Sequence, residues 1–346
     1  MERRTTSSDV ARAAGVSRAT VSYVLNGRAG QSISAATRDR VLTAARDLGY
    51  IPSTAARTLR RGRSDLVLML LPPEPLGRAL AMIIDAASEY VEQHGLRLVA
   101  HRLPSRGGAV SLVHSLAPAA LILVTPLEEA ELAALQAAGI AVASLPQALE
   151  DPLAPDLGIG ALQVEHLVRA GHRRIGVAVP PESGYAWRVR VRLAAIRDAC
   201  SRHGLPAPAV ASLGLDAGEA AAAVSVWRNA AEPVTAVCAF DDDHAFAVLS
   251  GLAVHALRAP RDLAVIGAED IPLAGLAVPP LTTVRVDARQ LGERFAQLAL
   301  ASARQTNHPA NQSTAQPTAQ PGVPVQAALP KQLGLPAVTL VLRASA

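Results

Sequence analysis

From Leu66 onward, short apolar runs alternate with stretches of helical periodicity, and no other feature restricts the possible folds as tightly. Strands are expected over 66–71, 96–100, 121–124, 140–144, 175–179, 236–240 and 263–266. Helices are expected between them, over 78–94, 108–116, 127–138, 162–170, 185–203, 218–228 and 243–257. Gly95, Gly139, Gly171 and Gly204 stand where several of these helices should stop, since glycine accepts the left-handed backbone of a helix end. Such alternation implies parallel sheets covered by helices on both faces, and the number of strands implies two sheets. A further helix is expected over 287–303 and a closing strand over 338–342. The intervening segment is rich in Gln, Pro, Thr and Ala without periodicity, which predicts a disordered insertion over 306–335.

The first sixty residues have a different texture. Thr6-Ser7-Ser8-Asp9 fits a capping box, and Val10, Ala11 and Ala14 give the helix that follows a narrow apolar stripe. Gly15 supplies a tight turn, Val16 fills the gap, and Ser17 caps a second helix with Thr20, Val21, Val24 and Leu25 facing inward. Arg18, Ala19, Ser22 and Tyr23 then face outward. Two short helices joined by such a turn match the geometry that sets side chains on base edges in the major groove, although a helical hairpin of no special purpose has the same pattern. A third helix, capped by Ser34 and ending near Gly49, is expected to bury Thr37, Val41, Ala45 and Leu48. Ser53 then caps a short helix over 54–59, too short to be stable alone in water, followed by Arg60, Arg61 and Arg63. It reads either as a segment that folds on its target or as a flexible basic linker.

Charge separates the two regions. Residues 1–63 carry twelve arginines against Glu2, Asp9, Asp39 and Asp47, a net of +8, whereas the whole chain is +4. The positive charge therefore lies with the helical head, the footprint of a polyanionic partner. Lys331 is the only lysine, so arginine richness by itself reflects compositional bias and carries little weight.

Other functions find little support. No apolar run approaches the roughly 20 residues that span a bilayer, and Arg3-Arg4 has no apolar segment behind it, so a cytoplasmic, nucleoid-associated protein is expected. Cys200 and Cys238 suit reduced, buried thiols. Gly158-Ile159-Gly160 lacks the third glycine of a dinucleotide fingerprint, and neither a Walker lysine loop nor a Gly-x-Ser-x-Gly elbow occurs. No histidine pair has metal-ligand spacing on one helix face. No catalytic residues, no cofactor and no metal are expected.

Together, DVARAAGVSRATVSYVLNG and TRDRVLTAARDLGYIPSTAARTL at the front, EHLVRAGHRRIGV, RLAAIRDA and FDDDHAFAVL in the body, and PRDLAVIGAEDIPLAGLAVPPLTTVRV near the end resemble the lactose/galactose repressor (LacI-type) family over nearly the whole length. The resemblance implies an N-terminal all-α helix-turn-helix headpiece (1–50), a hinge helix and basic linker (51–63), and an α/β core of two parallel-sheet lobes like those of periplasmic binding proteins. The N-terminal lobe is expected over 64–157 plus about 284–305, and the C-terminal lobe over 158–283 plus about 336–346. It implies a homodimeric regulator, a repressor of transcription, on a pseudo-palindromic double-stranded operator. Ser17, Arg18, Ala19, Thr20, Ser22, Tyr23 and Asn26 are the expected DNA contacts of the head, Ala56 and Leu59 those of the hinge, with Leu59 as a minor-groove wedge.

A small-molecule effector is implied for the cleft between lobes. Arg192 matches the family's ligand-clamping arginine, Asp241 and Asp242 match its Asn-Asp pair, and Glu269 replaces the aspartate beside Asp270. Helix N-capping is a competing reading of the Asp241–Asp243 run, and a surface position a competing one for Arg192, near Arg188, Arg190 and Arg197. The loop over 72–77 lacks the family's phenylalanines, the 155–160 segment lacks its Val-x-x-Asp-Asn stretch, and aromatic residues make up only 3% of the chain. An effector other than a common sugar, or a vestigial cleft, follows from these departures. A solute-binding protein remains the alternative if the core is considered alone, but it leaves the basic head unexplained.

Overall fold

The computed structural model describes residues 5–25, 33–50, 63–73, 77–104, 107–146, 155–181, 186–305 and 338–346. The chain divides into two compact units, Met1–Ser64 and Asp65–Ala346. The expected hinge helix with Ala56 and Leu59, the loop with Asn26, and the 306–335 insertion lie outside the described residues.

The first unit holds helices α1 (Ser7–Ala14), α2 (Arg18–Leu25) and α3 (Ala35–Asp47). Asp9 reaches back as the capping reading requires, accepting from the Thr6 N–H at 3.0 Å and the Thr6 hydroxyl at 2.6 Å. Val10, Ala14, Val21, Val24 and Val41 form the centre of a small apolar cluster. Leu48 departs from expectation: it is 39% exposed. The helix has already ended at Asp47, Gly49 turns the chain at φ +57°, and Tyr50, whose N–H bonds the Ala45 carbonyl at 2.8 Å, packs on the cluster in its place.

In the second unit the chain runs β1 (Leu66–Leu71), α4 (Arg78–Gln93), β2 (Arg97–Arg102), α5 (Ala109–Leu116), β3 (Ala120–Leu123), α6 (Glu129–Ala137), β4 (Val142–Ser144) and α7 (Ile159–Arg169). It continues with β5 (Ile175–Val179), α8 (Ala186–Arg202), β6 (Ala209–Ser212), α9 (Ala217–Arg228), β7 (Ala236–Ala239) and α10 (Asp242–Val254). Then come β8 (Ala264–Ala268), β9 (Thr282–Arg285), α11 (Ala288–Gln305) and β10 (Thr339–Val341). One sheet has the order β2-β1-β3-β4, the other β10-β9-β8-β7-β5-β6, and every pairing is parallel except β10 against β9.

Central strands are covered on both faces, as their unbroken apolar runs require. In β1, Val67, Met69 and Leu71 enter one core while Leu68 and Leu70 enter another under α5 and α6. The first of these cores runs through both lobes, collecting Ile175 and Val177 of β5 and Leu291 and Phe295 of α11. Helix α11 lies along α4, so closely that a Cβ at Gly292 would overlap the Ile83 carbonyl oxygen. The chain thus leaves the second sheet after β9, packs α11 on the first lobe, and returns to the second sheet at β10.

Two strands, β6 and β9, escape sequence reading. β6 is an edge strand of four residues, none of them fully buried. β9 begins with Thr282 and Thr283, which read as polar yet are fully buried because their hydroxyls are bonded: Thr282 accepts from the Arg343 N–H at 3.0 Å and Thr283 donates to Asp242 at 2.5 Å.

Candidate functional site

In the first unit, the turn between α1 and α2 is built by Gly15 at φ +66° and by the Val16 N–H, which donates to the Ala11 carbonyl at 3.0 Å. Ser17 caps α2 by accepting from the Thr20 N–H at 3.0 Å. Ser17, Arg18 and Ala19 are exposed, Thr20, Ser22 and Tyr23 are half-buried, and Val21 and Val24 anchor the helix beneath them. The first turn of α2 is therefore an exposed ridge on a packed base.

In the second unit a cavity of about 100 Å³ opens between the lobes. Pro72, Val124 and Leu145 follow the carboxyl ends of β1, β3 and β4, and Phe240, Glu269 and Val286 follow those of β7, β8 and β9; all six line it. Convergence of parallel strand ends is the ordinary place for a ligand in α/β sheets. The first turn of α4 adds Leu80, and the first two turns of α8 add Trp187, Arg188 and Arg192.

Arg192 lies in this cavity, only 3% exposed, and is engaged by the chain itself. Its Nε donates to Asp156 Oδ2 and its Nη1 donates to the Phe240 carbonyl at 2.6 Å. Asp156, also buried, accepts from the Gly160 N–H at 3.1 Å, which fixes it at the start of α7. Sequence reasoning passed over Asp156; the available signal was an aspartate just ahead of an apolar helix. It also set Arg188 aside, although Arg188 and Arg192 are four residues apart and so share one helix face. Both guanidinium carbons lie 5.2 Å from the Phe240 ring centroid, within reach of cation–π attraction.

Glu269 faces Arg188 across 3.8 Å. Its backbone has φ +103° and the adjoining Asp270 φ +54°, conformations that cost non-glycine residues of order 1–3 kcal/mol and gather at ligand sites. Burial pushes the Glu269 carboxyl up to about 7, against the pull of Arg188. Asp270 turns away from the cavity to Arg285 Nε at 2.7 Å and Arg343 Nη2 at 2.6 Å. Burial works to raise its carboxyl, but these two arginines hold it below the usual range.

The structure does not bring Asp241 and Asp242 to the cavity lining. Asp241 caps α10, accepting from the His244 N–H at 2.8 Å and lying 2.6 Å from His244 Nδ1. Burial works to raise its carboxyl, yet the bonds to His244 keep it below its ordinary value. Asp242 is 1% exposed and braces the second sheet, accepting from Thr283 Oγ1 at 2.5 Å and the Ile271 N–H at 2.8 Å. Gly267 makes room for it, since a Cβ there would overlap its carboxylate. Burial pushes the Asp242 carboxyl up to about 7. Cys200 and Cys238 are free and buried, with burial raising both thiols.

Residues 6–53 match the model of bacterial regulatory proteins, lacI family, and residues 164–322 match a periplasmic binding protein-like domain. The chain is 32% identical over 310 residues to the HTH-type transcriptional regulator MalR of Streptomyces coelicolor, covering 82% of this chain and 86% of that one. The chain belongs to the LacI family. It is 29% identical to the lactose operon repressor of Escherichia coli, over 82% of this chain and 81% of that repressor. Among solved structures, a Lac repressor dimer bound to operator and the anti-inducer ONPF superposes with a TM-score of 0.75 at 26% identity, covering 99% of each chain. The LacI-family chain described here is accordingly a DNA-binding transcriptional regulator with a helix-turn-helix head and a two-lobed α/β core. No helix among its described residues is long and apolar enough to cross a membrane.

Proposed function

We propose that this regulator represses transcription in the cytoplasm as a homodimer on a pseudo-palindromic operator, and that a small molecule in the cleft between lobes modulates its affinity. The observation that carries the DNA-reading half is the exposed first turn of α2, where Ser17 caps the helix and Arg18 and Ala19 stand clear of the packed base. A helix N-terminus offers orphan N–H groups to phosphate, and an arginine there reaches the paired acceptors of guanine. Tyr23, Ser22 and Thr20 sit further along the same element, and Asn26, Ala56 and Leu59 extend the proposed contact from sequence alone.

Two such helices related by a two-fold axis read two half-sites, which is why a dimer and a palindrome go together. Relatives described as a Lac repressor dimer bound to operator support that arrangement. Modulation rests on the cleft: strand ends and helix starts from both lobes meet there, so a ligand touching both shifts their relative populations. Selection of bound genomic fragments tests the DNA half, with a two-fold symmetric motif expected and an asymmetric single site against it. A bulky Val124→Trp, which fills the cavity, tests the coupling through a change in operator affinity.

A second reading is favoured by one observation. Arg192 is bonded to Asp156 and the Phe240 carbonyl, partners within the chain itself, as a cleft that has lost its ligand would have it. Under that reading Val124→Trp leaves operator binding as it was.

A further inference from the structure

Among the described residues, the cavity lining holds four charged side chains, Asp156, Arg188, Arg192 and Glu269, and apart from the Trp187 indole N–H the other side chains are apolar or absent. Asp156 and Arg192 are bonded to each other, and Arg192 also donates to the Phe240 carbonyl. Arg188 and Glu269, 3.8 Å apart, are more loosely paired, in a wall made by residues such as Leu80, Val124, Leu157, Trp187 and Leu291. A sugar has a hydroxyl on nearly every carbon, and each loses free energy on leaving water unless it is bonded. Among the described residues, four charged side chains in an otherwise mostly apolar wall, two of them already bonded to each other, leave most of its hydroxyls without a partner. The cavity of about 100 Å³ is on the scale that accepts a single ring.

We propose that the cleft takes a compact apolar molecule bearing one carboxylate, an aryl or branched-alkyl monocarboxylic acid, with its carboxylate between the Arg188 guanidinium and the Glu269 carboxyl. The proposal rests on the reading that the cleft holds an effector. Arg188 is steadied over the Phe240 ring, and its separation from Glu269 exceeds the roughly 2.7–2.9 Å of a charge-assisted hydrogen bond, so its donors are available to a better-placed anion. A cationic ligand meets the opposite situation, since any position bonded to Glu269 also lies beside Arg188.

Glu269 makes the site acid-dependent. Burial raises its carboxyl most, Arg188 and Arg192 of α8 lower it, and Asp241 and Asp242 at the start of α10 raise it, while Arg78 of α4 and Asp270, Arg285 and Asp287 line a second cavity that Glu269 also borders. Protonated, Glu269 donates its O–H to the ligand carboxylate; ionised, it repels it. Binding therefore takes up a proton, and affinity falls as pH rises through about 7.

The test is calorimetry and thermal unfolding of the full chain with benzoate, phenylacetate and 3-methylbutanoate against glucose, benzyl alcohol and benzylamine, at pH 6 and pH 8. The acids should bind and raise the unfolding temperature, with affinity about tenfold weaker at the higher pH. Arg188→Gln should abolish their binding. Because that change also removes a stacking contact, Glu269→Gln gives an independent measure: binding is kept and its pH dependence between 6 and 8 is lost. Benzyl alcohol binding as tightly as benzoate, or an unchanged pH slope in Glu269→Gln, overturns the carboxylate assignment. Binding of glucose or benzylamine that alters operator affinity overturns the ligand class while leaving the effector reading intact. If nothing in the panel binds, the class is wrong, and if Val124→Trp also leaves operator affinity unchanged, the effector reading fails with it.

Discussion

Arg192 and Asp156, thirty-six residues apart in sequence, form an ion pair in which both side chains are less than one-tenth exposed. Removing one member of a buried pair strands the other charge, typically at about 3–5 kcal/mol, whereas replacing both by apolar groups is often neutral. Asp156→Asn keeps an acceptor for the Gly160 N–H and isolates the loss of charge. Urea unfolding should show a destabilisation of about 3 kcal/mol for Asp156→Asn, with Asp156→Leu/Arg192→Met recovering most of it. A single-variant loss below about 1 kcal/mol means that the pair is not formed in solution.

Asp242 and Glu269 both have carboxyls pushed up to about 7 by burial, while unfolded carboxyls titrate near 4. Between those values the native state holds more protons than the unfolded one, so stability is lost as pH rises from about 4 through 7. Asp241 and Asp270 are lowered instead, and their contribution disappears only at more acid pH. The unfolding temperature of the core should fall between pH 5 and pH 8, and Asp242→Asn should flatten that fall. A temperature that rises over this interval contradicts the burial argument.

If the first turn of α2 reads bases, Arg18→Ala should relax preference at particular half-site positions by about 1–3 kcal/mol each. Loss of a phosphate contact instead weakens all sequences alike and reduces the salt slope. Comparing motifs selected from random DNA by wild type and Arg18→Ala, at two salt concentrations, separates the two. An identical motif with uniformly weaker binding removes Arg18 from base recognition.

Gly292 lets α11 approach α4 until no Cβ fits against the Ile83 carbonyl. Backbone cannot yield as a flexible side-chain tip does, so Gly292→Ala should separate the helices and cost about 1–3 kcal/mol. The measurement is the urea midpoint. A stabilising effect from the better helix propensity of alanine shows that the helices are further apart than described.

Much of the architecture is legible because it is written at short range. The Thr6–Asp9 cap spans three residues, the Ser17 cap likewise, and the apolar runs of β1, β3, β5, β7 and β8 need only their neighbours to be recognised. β6 and β9 are missed because their residues, taken locally, are partly exposed or polar. Leu48 is misplaced because helical periodicity was carried past the residue where the helix stops.

The site divides along the same line. Sequence determined that a basic helix-turn-helix head is followed along the chain by two parallel-sheet lobes, since periodicity, capping and charge distribution are properties of neighbouring residues. Which polar groups face the cleft was decided only by the tertiary structure. Asp242 is bonded by Thr283, forty-one residues on, away from the cavity lining, whereas Arg192 pairs with Asp156 in the cavity wall, where Arg188 and Glu269 also stand. A buried charge takes whichever partner the converging strand ends bring within reach, and that convergence is fixed by packing across the lobes rather than by any local pattern.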